Sequence, residues 1–207
     1  MSYNPDIHHR RSIRLRDYDY SSAGAYFVTL CVQSRECLFG DIVDGDMMLN
    51  DAGRMIQLIW EALPERLHFA QLDEFRVMPN HFHGIVILNH GRGESCIRPV
   101  SLDSTDGDGE DQNQGEHENQ GEHKVRPYGT GENSLGRVIQ AFKSLTTLAY
   151  VKGVNHLTWP PFPGNLWQRN YYERVIRNHN ELTRARDYVV NNPMKWRMDK
   201  ENPAFPK

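Results

Sequence analysis

The alternation of apolar and polar positions divides the chain into a small set of elements. Residues 25–33, AYFVTLCVQ, predict a strand. Residues 38–50, LFGDIVDGDMMLN, predict a hairpin that turns at Asp44-Gly45, a strong turn dipeptide. Beyond it, Ala52, Met55, Ile56, Ile59 and Leu63 recur at helical spacing, with Asp51 placed as the cap and Pro64 near the end. Residues 74–78 and 81–88 predict two further strands. Ser134 is placed to cap a second helix whose inner face is Leu135, Val138, Ile139, Phe142 and Ala149. A third helix is expected over 181–191. Pro193 limits it, because the residue before proline avoids helical dihedrals. Several strands and a few amphipathic helices, without strict βαβ alternation, predict an α+β fold: an antiparallel sheet with helices packed on one face.

Between the third and fourth expected strand-helix units the pattern disappears. Residues 94–133 contain DSTDGDGEDQNQGEHENQGEH, with NQGEH at 113–117 and again at 119–123. Such a segment holds too little apolar surface to offset its ordering entropy, and is expected to be a disordered insert in one domain spanning 1–207. His117 and His123 give it weak metal-binding chemistry at most. The insert also hides the charge of the remainder. Formal net charge is −3, but nine of the 27 acids and only one of the 24 bases fall within 94–123. The rest of the chain is therefore modestly basic, about +5, which permits a polyanionic partner.

Other classes are excluded more quickly. The N-terminal MSYNPDIHHRRSIRLRDYDY is too polar for a secretory signal. The longest aliphatic run is strand-length, far short of a membrane span. Three cysteines, Cys31, Cys37 and Cys96, lack CxxC spacing and argue against a disulfide framework or cysteine zinc site. A cytoplasmic location is expected.

The chemistry concentrates in two stretches. The first is MPNHFHGIVIL, residues 78–88. In a strand, His81 and His83 share one face, with Ile85 and Ile87 continuing it, while Phe82, Gly84, Val86 and Leu88 face covering helices. Two imidazoles at that spacing can converge on one ion; they can equally be ordinary hydrogen-bonded residues. Gly84 either leaves room for close packing or marks a bulge. Ligand chemistry alone favours manganese or zinc.

The second stretch is LWQRNYYERVIRNHNELTRARDYVVNNPMKW, residues 166–196. Aromatics alternate with basic residues, which suits single-stranded nucleic acid, and suits equally a solvated helix face over core aromatics. Tyr188 and Asn192 stand one helical turn apart. A phenol beside a metal-binding amide suits attack on a phosphate held by that metal.

MPNHFHGIVIL followed by WQRNYYERVIR and DYVVNNP resembles the HUH single-tyrosine transposases, most closely the branch associated with repetitive extragenic palindromes (REP). The resemblance runs from about Tyr26 to Trp196, apart from the insert. It implies an RRM-like or ferredoxin-like sheet. It implies a divalent ion, Mg²⁺ or Mn²⁺, held by His81 and His83, with Asn192 at the position of a third, polar ligand. It implies that Tyr188 cleaves single-stranded DNA beside a hairpin, leaving a 5′-phosphotyrosine link and a free 3′-OH that permits rejoining. Tyr171 and Tyr172 compete for the nucleophile's role on composition, but match a segment that packs the helix or stacks on DNA. Arg137, Lys143, Trp167, Arg169, Arg174 and Arg177 are the expected DNA contacts. A monomer is favoured over a helix-exchanged dimer.

Two other functions are compatible with parts of this pattern. One is a protein that binds hairpins without cutting. The other is a small-molecule metal hydrolase, which requires further carboxylate or histidine ligands that the sequence does not single out. Deleting residues 94–123 is expected to leave folding and cleavage intact and to tighten DNA binding by removing negative charge. Circular dichroism and a binding titration check this, and a deletion variant that fails to fold would make the insert structural.

Overall fold

A computed structural model of the chain describes residues 18–89 and 132–205. The acidic insert lies outside the described residues except at its last two positions, and His90, Cys96, His117 and His123 lie outside them too. The first apolar run forms β1 (Gly24–Cys31), and Val32 adds an isolated bridge to Trp167. Strands β2 (Gly40–Val43) and β3 (Asp46–Leu49) make the expected hairpin. Asp44 and Gly45 both have positive φ, 52° and 89°, as a tight two-residue hairpin turn demands.

Helix α1 (Asp51–Glu61) is capped by Asn50 and not by Asp51. The Asn50 side-chain oxygen accepts from the Gly53 N–H at 2.9 Å. Asp51 is instead the first helical residue, where its charge complements the helix N-terminus. A short helix α2 (Leu63–Arg66) follows, with Pro64 in its first turn. Strand β4 (Ala70–Val77) begins four residues before the expected stretch. An irregularity between Leu72 and Phe75 breaks its alternation and hides its first half. Strand β5 (His81–Leu88) has the expected limits. Helix α3 (Leu135–His156) is capped by Ser134, and Thr146 and Tyr150 extend its buried face. The basic aromatic segment contains a strand not anticipated, β6 (Tyr172–Ile176). Helix α4 (His179–Asn191) is capped by Asn178 and runs into a 3-10 helix over Pro193–Met198.

Strands β4, β5, β1 and β6 lie side by side in that order, each antiparallel to its neighbour. β1 and β4 therefore run parallel with β5 inserted between them, and β5 and β6 run parallel with β1 between them. Two such split crossovers, one through α1 and one through α3, make the ferredoxin-like arrangement. No helix among the described residues is long and apolar enough to cross a membrane.

The two faces of the sheet differ. Tyr26, Val28 and Leu30 of β1 and Phe82, Val86 and Leu88 of β5 join α1 and α3 in the main core. At its centre the Trp60 ring lies 4.6 Å from Phe82 and 5.0 Å from Phe142. The other face carries the histidines, and there α4 packs Leu182 against Ala25, Ile85 and Ile176. Helices thus cover the first face as expected, and a further helix crosses the second.

Gly84 pairs in register with Val28 and with Phe75, so it does not mark a bulge. Its missing side chain makes room for Trp60: a Cβ there would stand 2.7 Å from the indole and 2.8 Å from Phe82. Both rings are fully buried. Gly84→Ala is therefore expected to destabilise the fold by about 1–3 kcal/mol, the usual range for overpacking, measured as a lowered urea midpoint at unchanged slope.

Candidate active site

The two-residue period of β5 puts His81 and His83 on the face away from the main core, in contact with the C-terminal part of the chain. Both are almost fully buried. Their Nε2 atoms stand 3.0 Å apart. A hydrogen-bond count fixes the His81 tautomer. The Asn80 amide nitrogen donates to two backbone carbonyls, of Arg35 at 2.8 Å and of Glu201 at 2.7 Å. Its oxygen must therefore face His81, whose Nδ1 lies 3.0 Å away and has to be the donor. The His81 Nε2 is left with a bare lone pair.

His83 is held by Thr29, whose hydroxyl lies 2.8 Å from Nδ1. A hydroxyl serves either as donor or acceptor. If it donates, His83 carries its proton on Nε2 and shares it with His81. If it accepts, both Nε2 atoms present lone pairs to the same point. The Phe27 ring stacks on His83 at 5.4 Å, and Trp196 lies 5.9 Å from His81. Burial holds both imidazoles below the ordinary histidine range, His81 at about 4, so both are neutral near pH 7. Neutral imidazole is the form that binds metals.

Asp199, which the sequence reading did not single out, completes the group. Its carboxylate lies 3.8 Å from His81 Nε2, and one ligand atom each from His81, His83 and Asp199 fall within 4.8 Å of one another. Asp199 directly follows the 3-10 helix, in a polar stretch with no periodicity to reveal its direction.

Helix α4 brings in the other two residues expected here. The Tyr188 ring packs edge-on against His83 at 5.2 Å and Phe27 at 5.7 Å, yet the residue is 42% exposed. Burial and the nearby Asp199 carboxylate raise its pKa, and a side-chain interaction with Asn192 opposes them. Asn192, at the C-cap of α4, is buried, and its side-chain oxygen has no hydrogen-bond partner. An unpaired buried carbonyl costs about 1–3 kcal/mol, which a bound cation removes. Two imidazoles, a carboxylate and an orphaned amide oxygen thus form a donor set that fits a divalent ion. The helix is fixed by a two-pronged ion pair: Arg186 Nε donates to one Asp73 oxygen at 2.8 Å and Nη2 to the other at 2.5 Å.

The expected DNA contacts divide. Trp167 is a core residue, packed on Phe39 and Phe142 with its indole N–H donating to Thr146 at 2.8 Å, so it offers no stacking surface. Lys143 donates to the carbonyls of Gln168, Arg169 and Asn170, and so clamps the approach to β6. It and Arg137 belong to α3, across the sheet from the histidines. Arg169 and Arg177 are exposed beside β6, and Arg174 lies on β6 in register with Phe27, on the histidine face.

No family model matches the chain. It is 35% identical over 198 residues to an uncharacterized protein of Haemophilus influenzae, an alignment covering 95% of each chain. Its fold matches that of a REP-associated tyrosine transposase solved bound to a REP hairpin, at a TM-score of 0.52 and 17% identity, over 89% of this chain and 74% of the other. A transposase candidate of Deinococcus radiodurans aligns over 87% of this chain and 97% of its own, at 13% identity and a TM-score of 0.42, below the level that indicates a common fold.

The buried imidazoles make stability depend on pH. In the unfolded chain they titrate near 6.5, whereas the native site refuses the proton until far lower pH. The stability they contribute is therefore complete above about 6.5 and is lost as pH falls below it, for His81 toward about 4. The metal-free protein is expected to lose up to about 1.4 kcal/mol per pH unit for each imidazole across that window. Urea unfolding measures it, and a His81→Gln/His83→Gln variant should show a flatter profile. An equally steep profile in that variant would assign the loss to other groups.

Proposed function

Because the chain belongs to one family with the uncharacterized Haemophilus influenzae protein and carries the HUH tyrosine transposase-like fold, we propose that it nicks and rejoins single-stranded DNA at hairpins, with a divalent metal. The observation that carries this is the meeting of Tyr188 with the His81–His83 pair inside a single chain. A phenol exposed to solvent on one side and packed on the other against His83, one of two ligand-ready imidazoles, is an arrangement suited to phosphoryl transfer to tyrosine.

His81, His83, Asp199 and Asn192 are the residues to hold the ion. When bound, the ion supplies positive charge to the phosphate oxygens. Two imidazoles beside a carboxylate and an amide oxygen would suit Mn²⁺, which accepts nitrogen donors more readily than Mg²⁺ does.

Tyr188 is the nucleophile in this reaction. Its oxygen forms a bond to phosphorus, the bond to the 3′ oxygen breaks, and that oxygen leaves as a 3′-OH. The products are a 5′-phosphotyrosine link and a strand end able to reverse the step. The raised pKa of Tyr188 means that its proton must pass to solvent on the exposed side as the bond forms, balanced by the proton that the leaving 3′ oxygen takes up, and Asn192 offsets part of that penalty. Phe27 and His83 hold the ring from two sides, so that attack needs little reorganisation. Hairpin recognition rests on the REP hairpin bound by the structural neighbour. The proposal is for a monomer, in which His81, His83 and Tyr188 meet within one chain.

Incubation with a hairpin oligonucleotide that carries single-stranded flanks, in Mn²⁺, is expected to give a covalent protein–DNA adduct. Peptide mapping by mass spectrometry should find it on Tyr188. Tyr188→Phe should abolish the adduct, and His81→Ala or His83→Ala should lower its rate by about 10²-fold or more while the fold persists. An adduct on Tyr171 or Tyr172 would overturn the assignment of the nucleophile. Tight hairpin binding without any adduct would leave a binding protein.

A further inference from the structure

Strand alternation separates the adjacent tyrosines of the basic aromatic segment. Tyr171 packs against the main core. Tyr172, the first residue of β6, points to the histidine side and is 44% exposed. The register fixes its place: Tyr172 is opposite Thr29, and Thr29 is opposite His83, to which it is hydrogen-bonded. The three residues form one row across β6, β1 and β5. Strands are about 4.8 Å apart, so the Tyr172 backbone lies about 10 Å from that of His83. Helix α4 covers the other end of β6, at Ile176, and leaves Tyr172 open.

A second group marks the same spot. The Lys200 ammonium stands over the Tyr172 ring, 5.4 Å from its centroid. Lys200 adjoins Asp199, and its charge is felt at His83. One large exposed aromatic face and one cation therefore sit two strands away from the histidines beside which the scissile phosphate is to be held. An aromatic face stacks on any unpaired base, and an ammonium meets the backbone phosphate beside it.

We propose that Tyr172 and Lys200 form a nucleobase subsite next to the reactive centre, in which Tyr172 stacks on the base flanking the scissile phosphate and Lys200 pairs with a neighbouring phosphate. The subsite rests on single-stranded DNA being the partner, but it operates in binding and does not depend on cleavage. It also gives the two tyrosines of the Tyr-Tyr pair different functions, one inside the core and one on DNA.

The test uses the full-length Tyr188→Phe protein with Mn²⁺, so that no strand is cut. A short oligothymidylate carrying one 5-iodouracil is irradiated, and the cross-linked peptide is mapped by mass spectrometry. The expected cross-link is on Tyr172. Adding Tyr172→Leu should remove it and weaken oligothymidylate binding by roughly 5- to 100-fold, whereas Tyr172→Phe should keep both. Lys200→Gln should weaken binding less and reduce its salt dependence. Thermal unfolding checks that each variant is folded. Unchanged affinity in Tyr172→Leu, or a cross-link confined to other residues, would overturn the subsite while leaving the cleavage reaction intact. Failure of the parent protein to bind any single-stranded DNA would overturn both. A Tyr172 cross-link in a protein that never forms an adduct would keep the subsite and remove the cleavage.

Discussion

The approach of two imidazoles to 3.0 Å requires that neither ring can turn, and four separate parts of the chain provide that restraint. Asn80, in the turn between β4 and β5, holds His81 from behind. Its own amide is held by a carbonyl from the β1–β2 connection and another from the C-terminal segment. Thr29 on β1 holds His83, and Phe27 stacks on it. Each tie is a single hydrogen bond or ring contact of modest strength. Together they hold the two buried rings in the convergent orientation. Burial does the rest by keeping both rings neutral.

The nucleophile depends on the same sheet by a different route. Tyr188 lies on a helix whose apolar contacts are few: Leu182 and Val189 are its buried residues. So small an apolar stripe leaves the angle of a helix loosely set. The Arg186–Asp73 pair compensates, because its planar two-pronged geometry fixes direction as well as distance. Asp73 lies at the irregularity of β4, so the bulge that spoils the strand's alternation also aims the residue that anchors the helix.

Much of this was legible from residue order, and the gaps have physical causes. Period-two and period-3.6 patterns found β5, α1 and α3, because each has one face in the main core. They missed β6, whose exposed Tyr172 and Arg174 alternate with the partly buried Glu173 and Val175, so that each face mixes polar and apolar types. They misplaced the cap of α1 by one residue, since Asn50 and Asp51 are both good caps and only backbone geometry separates them. Among chemical residues, His81, His83, Tyr188 and Asn192 followed from spacing and resemblance. Asp199 did not, because it is brought in by an irregular tail. Trp167 and Lys143 looked like DNA contacts from composition alone. Tertiary structure instead turned one into the core and tied the other to three carbonyls.

The orientation of β5 separates the chemistry from the place where the chain leaves the sheet. His81 opens the strand and Leu88 closes it, and residues 90–131 are joined on just after that end, beyond Asn89. At about 3.3 Å per residue, the histidines lie roughly 20–26 Å from that junction. Asn89 is itself secured by a hydrogen bond from its N–H to the Phe69 carbonyl, at 2.8 Å. The strand therefore acts as a spacer that sets the paired imidazoles a full strand length from the point where the chain leaves the sheet.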